Sequence, residues 1–502
     1  MNFKCFLESI ATNYPIYLKR FKSLFPGFND EFYDLHISKM IELEKKQSNP
    51  PSFNDELFNN YLNDLGVKGK SEKSKFGFNS QTNYSVAQDN LQKNTWLRNS
   101  ADPQNSRRIL CCQFSSKILY SRNKDYSDRY YDKIYSKVPG YSRPNDFWEI
   151  PYWIGIINKN LNNSDVYIIR DINEAINFFK KANYKILLFS VLDVSLDKVK
   201  FIVQKYSGPV AVGGYIANLA EEMAGFKNVQ VYKSMEDFIL EQKNSKMING
   251  VSYSLFGGTT TIPRLTMSTG CKHKCKFCDV TRVVKENPEQ EILDEVEEIS
   301  KLKSELVYIN DKTFGQSRNY SLLPKIFNLI KLKNNNFNGF IIQTTSTAFS
   351  SSKFNLDFIN NSGIKFIELG IETYNDEILK KYHKPSTEKS IDLACEKIRQ
   401  FRNSGADIYL IANIIVGFPE ETEETYKKTW SFLLKNQDII SHLNVYNLAI
   451  YSDAALGDEI TINSKSDRDE NENKKSFHHD PNLHKKWHKK LIAVGNYLLK
   501  QI

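Results

Sequence analysis

The sequence predicts an α/β protein: a Rossmann-like, doubly wound domain followed by a partial (β/α)6 TIM-like barrel, with a helical N-terminal region ahead of both. Three observations predict it. Short apolar runs alternate with helix-period stretches from Arg108 to about Leu240, a second alternating series of six units begins near Arg264, and 502 residues are more than one hydrophobic core usually serves. The composition, 40% hydrophobic and 25% charged, excludes a disordered or fibrous chain. The net charge of +9 is modest for this length and permits an anionic partner without demanding one.

Residues 1–105 open with helix-like apolar spacing (Phe3, Phe6, Leu7, Ile10, then Ile37, Met40, Ile41, Leu43) and continue from Val67 as a polar linker without period. Residues 106–245 carry the first alternating series. Its expected strands are Ile109–Phe114, Val166–Ile169, Ile186–Val191 and Val210–Val212. Its expected helices are Tyr152–Leu161, Ile172–Ala182, Leu196–Tyr206 and Ile216–Met223, before a weak last unit at Val229–Leu240. Right-handed crossovers place a ligand crevice at the carboxyl ends of such strands. Residues 246–452 carry the second series, with expected strands Leu265–Ser268, Leu306–Ile309, Phe340–Thr344, Phe366–Ile371, Ile408–Val416 and Leu443–Ile450. In a barrel, the active residues also sit at the carboxyl ends. Residues 453–502 form a tail that begins charged and ends in an expected helix at Trp487–Leu499.

The first expected barrel strand runs into Ser268-Thr-Gly-Cys271-Lys-His-Lys-Cys275-Lys-Phe-Cys278-Asp. Thiolates are soft ligands suited to zinc or to iron–sulfur clusters, and this spacing wraps three corners of a cubane while leaving one iron open. A zinc knuckle would recruit His273 as the fourth ligand, but no second Cys or His pair follows at zinc-finger spacing.

The Cys-x3-Cys-x2-Cys loop, with Phe277 before the last Cys, resembles the signature of the radical S-adenosylmethionine (SAM) superfamily. Three later segments resemble it in order: Asn310-Asp311-Lys-Thr-Phe314, Leu369-Gly-Ile-Glu372-Thr with Lys384 beyond it, and Val416-Gly417-Phe-Pro419-Glu-Glu-Thr422, where Glu420 replaces the usual Gly. The resemblance implies a [4Fe–4S] cluster on Cys271, Cys275 and Cys278. SAM would be chelated to the open iron and cleaved reductively to a 5′-deoxyadenosyl radical. It also implies a reductant protein such as flavodoxin or ferredoxin. By family position, Phe277, Val416 and Gly417 would flank adenine, Glu372 would hydrogen-bond SAM, and Lys384 would pair with its carboxylate. Asp311 belongs to the same implied SAM site, although an Asp there can equally cap a turn.

Residues 107–242 resemble the cobalamin-binding domain that precedes the barrel in one group of these enzymes. The matching pieces are Ile150-Pro-Tyr-Trp-Ile-Gly-Ile, Leu188-Phe-Ser190-Val191-Leu and Val210-Ala-Val-Gly213-Gly214-Tyr215. The resemblance implies that Ser190 and Val191 lie near the nucleotide tail and that Gly213, Gly214 and Tyr215 approach the corrin. The lower-ligand motif Asp-x-His-x-x-Gly is absent, and no His occurs between His36 and His273. Cobalt ligation by a histidine of this domain is therefore excluded, whereas cobalamin binding without one is not. A Rossmann-like domain without the cofactor is the alternative.

The remaining features are less specific. The long loop Ser115–Trp148 interleaves Tyr120, Tyr126, Tyr130, Tyr131, Tyr135 and Tyr141 with Arg and Lys. Such a pattern can stack nucleic acid, but more often packs on its own domain. Cys111 and Cys112 read as core thiols. Cys5 and Cys395 lack partners, which counts against a second cluster and against the methylthiotransferase branch of the superfamily. His478, His479, His484 and His488 read as surface residues. The most apolar run, Ile408–Phe418, is about half the ~20 residues of a membrane span, and the N-terminus does not read as a signal peptide, so a cytoplasmic protein is expected. The leading expectation is a cobalamin-dependent methyltransferase acting on an unactivated carbon or phosphorus centre of an unidentified substrate. Its rivals are a non-methylating radical SAM cyclase, rearrangement or oxidation enzyme and, from another class, a zinc-bearing binding module.

Overall fold

A computed structural model describes residues 94–98, 109–115, 150–256, 262–448 and 479–501, apart from 162–163, 183, 215–217 and 279, together with isolated helical positions between 17 and 60. Tyr215, His478, Cys5 and the Tyr-rich loop lie outside the described residues. The helical positions near the N-terminus include buried Ile37 and Met40, two of the residues whose spacing predicts a helix there.

The first sheet is built from β1 (Thr95–Leu97), β2 (Ile109–Phe114), β3 (Ser164–Ile169), β4 (Ile186–Ser190), β5 (Val210–Gly213) and β6 (Val229–Val231). Their order is β1-β3-β2-β4-β5-β6, with every pair parallel except β1 against β3. β2 and the Val166–Ile169 part of β3 are near-continuous apolar runs because both faces are covered. Leu110, Cys112 and Phe114 face the helices Ile172–Lys181 and Asp193–Lys205. Ile109 and Cys111 join a core with the helices Tyr152–Asn160 and Met235–Lys243 and with Ile292 and Val296 of the barrel helix Glu289–Lys301. The two cysteines are thus core residues, as their strand context predicts. β1 lies within the segment whose polar composition suggests a linker. The Asn94 side-chain oxygen fixes it by accepting from the backbone N–H groups of Arg170 (2.7 Å) and Asp171 (2.8 Å).

The second sheet begins with β7 (Arg264–Leu265). It is followed by a small antiparallel hairpin of β8 (Ser268–Thr269) and β9 (Lys285–Glu286), and then by β10 (Leu306–Ile309), β11 (Gly339–Thr345), β12 (Ile364–Glu372), β13 (Tyr409–Val416) and β14 (Ile440–Asn447). The six main strands are parallel in the order β7-β10-β11-β12-β13-β14, and β7 and β14 do not pair, so the barrel is partial. Outward Val307, Ile309, Leu369 and Ala412 pack on helices. Inward Leu306, Tyr308, Ile341, Phe366 and Ile411 form a separate cluster inside the barrel. Two residues further along their strands the lining becomes polar, with Glu368 accepting from the Tyr308 hydroxyl (2.7 Å) and Asn444 donating to Asn413 (3.0 Å). The last strand starts three residues earlier than its apolar pattern suggests, because Ser441, His442 and Asn444 are buried polar residues that interrupt that pattern. The expected first strand is likewise split, Ser268 belonging to the hairpin instead.

The helix Pro481–Gln501 closes the barrel beside β14, with Trp487 fully buried against it. No helix among the described residues is long and apolar enough to cross a membrane.

Candidate functional site

The carboxyl ends of the barrel strands gather the sequence-predicted residues. Cys271, Cys275 and Cys278 sit in the loop between β8 and β9, and all three thiols are free of disulfides. Backbone contacts hold the loop: Cys271 N–H donates to Thr281 O (2.8 Å), Cys278 N–H to Cys275 O (3.2 Å) and Lys276 N–H to Tyr382 O (3.0 Å). One side chain the sequence reading missed does more. Arg282 donates to the carbonyls of His273 (2.9 Å), Cys275 (3.0 Å) and Cys278 (2.7 Å), so a single guanidinium spans the loop. Its only sequence signal is its place four residues after Cys278. Gln316 adds a second clasp, accepting from Lys272 N–H (3.1 Å) and donating to Gly270 O (2.8 Å).

Asp311 directly follows Asn310 at the end of β10. Its carboxylate is buried and accepts from Met267 N–H (3.0 Å), Ser268 N–H (2.8 Å) and Ser268 Oγ (2.6 Å). Burial raises its pKa against these bonds. Those contacts make Asp311 the tether between β10 and the strand that launches the cysteine loop. Thr313, two residues on, lies 3.5 Å from Cys271 Sγ.

Glu372 ends β12 at a register shift with a left-handed φ of +65°, which is uncommon for a residue with a Cβ. It forms a buried ion pair with Lys384. Burial pulls the Lys384 ammonium down, but Glu372 and Cys275 beside it hold it above its ordinary value. Burial pushes the Cys275 thiol up, and Lys384 opposes that shift. Lys384 therefore pairs with the carboxylate within reach of the charge of the cysteine loop, which the linear sequence only hints at.

Phe277 packs edge-on to Phe418 (6.1 Å between centroids) and near Tyr382 (6.5 Å), forming an aromatic wall with Ile415. Val416 is buried, and Gly417 takes a φ of +98° that favours glycine. The sequence reading missed how this turn is held: buried Glu421 accepts from Gly417 N–H (2.7 Å) and Phe418 N–H (3.1 Å), while the Tyr426 hydroxyl also accepts from Gly417 N–H (3.2 Å). Burial pushes the Glu421 carboxyl up to about 8. Glu420, where the resembling motif has Gly, is held by Lys381 and by the Tyr382 hydroxyl (2.9 Å). His484 is half-buried rather than free on the surface: its ring packs against Gly417, and its Nε2 lies 3.0 Å from Asn447 Oδ1. His488 is also largely covered, and burial lowers it to about 4. His479 is exposed, as expected.

In the first sheet the strand order reverses between β2 and β4, and the carboxyl ends on either side of that reversal form the crevice where open α/β sheets bind ligands. Ser190 ends β4 there, opposite Gly213 of β5, and Val191 N–H donates to Gly213 O (2.7 Å). The two glycines differ. A Cβ on Gly214 would lie 1.9 Å from the Val191 carbonyl oxygen, whereas one on Gly213 would meet only Tyr232 O at 3.5 Å. Gly214 is required by its own domain, whereas Gly213 has room where a side chain would stand.

The donor chemistry fits an iron–sulfur cluster: three thiols on one loop, a nearby ammonium, and a buried His273 Nε2 without a protein partner. Among the described residues no three His, Cys, Asp or Glu side chains gather tightly enough for a single metal ion. Cubane ligands satisfy a different demand, since each thiolate takes its own iron, whereas zinc draws four donors to about 2.3 Å or closer.

Residues 265–433 match the model of the Radical SAM superfamily. Among curated proteins, a tRNA-2-methylthio-N(6)-dimethylallyladenosine synthase of Thermosipho melanesiensis is 32% identical over 196 residues, 38% of this chain and 44% of that one. The ribosomal protein uS12 methylthiotransferase RimO of Haemophilus ducreyi is 27% identical over 191 residues, 34% of this chain and 42% of that one. The chain thus spans less than half the length of either relative. A solved structure of the radical SAM methyltransferase TsrM from Kitasatospora setae, with tryptophan and a SAM analogue bound, shares the fold. It has a TM-score of 0.52 and 13% identity, and covers 70% of this chain and 76% of that one.

Proposed function

Proceeding from a radical SAM enzyme whose domain of that superfamily occupies residues 265–433, with the [4Fe–4S] cluster and SAM that such a domain implies, we propose that the protein is a cobalamin-dependent methyltransferase acting on an unactivated carbon or phosphorus centre. The observation that carries the proposal is the reversal of strand order between β2 and β4, beside which Ser190 ends β4 and pairs with Gly213 of β5. Two further facts support it. The sheet shares one hydrophobic core with the barrel. The fold also matches TsrM, a methyltransferase solved with cobalamin and a [4Fe–4S] cluster bound.

When bound, the cluster and SAM supply reductive radical chemistry, and cobalamin supplies a methyl carrier. The chain's own residues do the rest. Cys271, Cys275 and Cys278 hold the cluster on a loop fixed by Arg282. Phe277, Val416 and Gly417 offer an apolar and backbone surface to adenine. Glu372 and Lys384 present a carboxylate and an ammonium beside the cluster loop, where the amino and carboxylate groups of SAM would need partners. Asp311 works one step back, by fixing the strand end at Ser268. The polar lining around Glu368, Asn413 and Asn444 offers hydrogen-bonding groups to a substrate.

The test is metal analysis of protein purified without oxygen from cells supplied with cobalamin, followed by product analysis. About four irons and one cobalt per chain are expected. Turnover should give S-adenosylhomocysteine alongside 5′-deoxyadenosine. Four irons without cobalt, and 5′-deoxyadenosine as the sole SAM product, would overturn methyl transfer and leave a non-methylating radical SAM enzyme.

A further inference from the structure

The helix Pro481–Gln501 touches the Gly417 turn by two separate routes. The first is direct: the His484 ring fills the side of Gly417 that lacks a side chain, 3.2–3.4 Å from where a Cβ would stand, and its Nε2 is 3.0 Å from Asn447 Oδ1 at the end of β14. The second passes through the barrel helix Glu423–Lys435. Trp487 Nε1 donates to Glu423 (3.0 Å), and Lys486 reaches both oxygens of the same carboxylate. The Trp487 ring stacks on Tyr426 (5.4 Å between centroids, planes 14° apart), and the Tyr426 hydroxyl accepts from Gly417 N–H. Both routes converge on one backbone unit. A glycine with a left-handed φ, no side chain of its own and a backbone N–H shared between two acceptors depends on its surroundings to stay in one conformation.

We propose that the C-terminal helix is the outer wall of the SAM pocket, with His484 and Trp487 as positioning residues that hold the Gly417–Phe418 turn for the adenine. This rests on the assignment of Gly417 to SAM, and it adds a segment outside residues 265–433, the span matched by the superfamily.

The experiment uses the full chain with its cluster reconstituted, and measures the SAM dissociation constant and the SAM-induced change in the electron paramagnetic resonance signal of the reduced cluster. His484→Ala is expected to weaken SAM binding about tenfold and to diminish the spectral change, with iron content and far-ultraviolet dichroism as in the wild type. His484→Gln keeps an amide within reach of Asn447 and should recover much of the affinity. Trp487→Phe keeps the stack on Tyr426 but loses the donor to Glu423, and should weaken binding by a smaller factor. Unchanged SAM affinity in all three folded variants overturns the proposal, even if they melt earlier. A wild-type holoenzyme that binds no SAM overturns the assignment of Gly417 first and this inference with it.

Discussion

Lys384 and Glu372 form an ion pair in which each side chain is only 10% exposed, directly over Gly370 on the inner face of β12. A Cβ on Gly370 would stand 2.7 Å from Glu372 Oε1 and 2.9 Å from Lys384 Nζ, so the pair in this arrangement occupies the space that the glycine leaves free. Both charges lie beside a loop built to carry thiolates.

Removing one partner leaves the other charge buried without compensation, which typically costs about 3–5 kcal/mol. Lys384→Met should therefore destabilise the cluster-free protein by that order, measured by urea unfolding, whereas the double variant with Glu372→Gln should recover most of the loss. If the double variant is no more stable than Lys384→Met alone, the pair is not what couples β12 to the segment carrying Lys384.

The cysteines should behave differently. Cys271→Ala, Cys275→Ala and Cys278→Ala each remove one ligand from a loop whose backbone is clasped by Arg282 rather than by the thiols. Each variant should fold and melt near the wild type while losing the visible absorption of the cluster and most of its iron. Retention of full iron by any one of them would remove that thiol from the ligand set. Arg282→Ala should instead lower both iron retention and thermal stability, since it frees three carbonyls at once.

What was legible in the sequence follows from where the information resides. Ile109–Phe114 and Leu306–Ile309 are read to the residue because uninterrupted apolar runs between polar segments are local signals. Thr95–Leu97 was invisible because three residues in a polar stretch have no period, and only pairing with β3 defines them. Arg282 carries no motif of its own, and Glu421 lies inside the quoted turn without its role showing there, since both act by satisfying backbone groups that their neighbours leave open. The charged stretch before His484 makes that residue look solvated, whereas it is half-buried against Gly417 on a helix whose Trp487 stacks on Tyr426. Cluster ligands are legible because chemistry fixes their spacing, whereas the groups that hold them are set by tertiary contact.

Buried Glu295 on the helix Glu289–Lys301 gives a pH prediction. Burial raises it from 4.5 to about 8, opposed only by a hydrogen bond with the Thr266 backbone. The folded chain thus keeps a proton that the unfolded chain releases from about pH 4.5 upward, so this contribution is fully present below that pH and is lost as pH rises through about 8. The loss should be on the order of a few kcal/mol. Glu421, also raised to about 8, acts with the same sign. Denaturant midpoints at pH 6 and pH 9 should differ in the wild type and differ less in Glu295→Gln. An equal difference in both proteins would show that Glu295 ionises without cost.

The two adjacent glycines of the crevice separate what the fold needs from what a ligand needs. Gly214→Ala drives a Cβ into the Val191 carbonyl, and backbone cannot yield as the end of a flexible side chain does, so this variant should lose several kcal/mol or fail to fold. Gly213→Ala meets only Tyr232 O at ordinary contact distance and should unfold within about 0.5 kcal/mol of the wild type. If the open side of Gly213 receives a corrin, the same small methyl group stands where the ligand must approach. Cobalt retained after anaerobic purification should then fall severalfold while iron stays unchanged. Full cobalt loading in Gly213→Ala would move the corrin away from β5, and Ser190→Leu, at the neighbouring end of β4, would then distinguish a ligand held against that strand from one that does not enter the crevice at all.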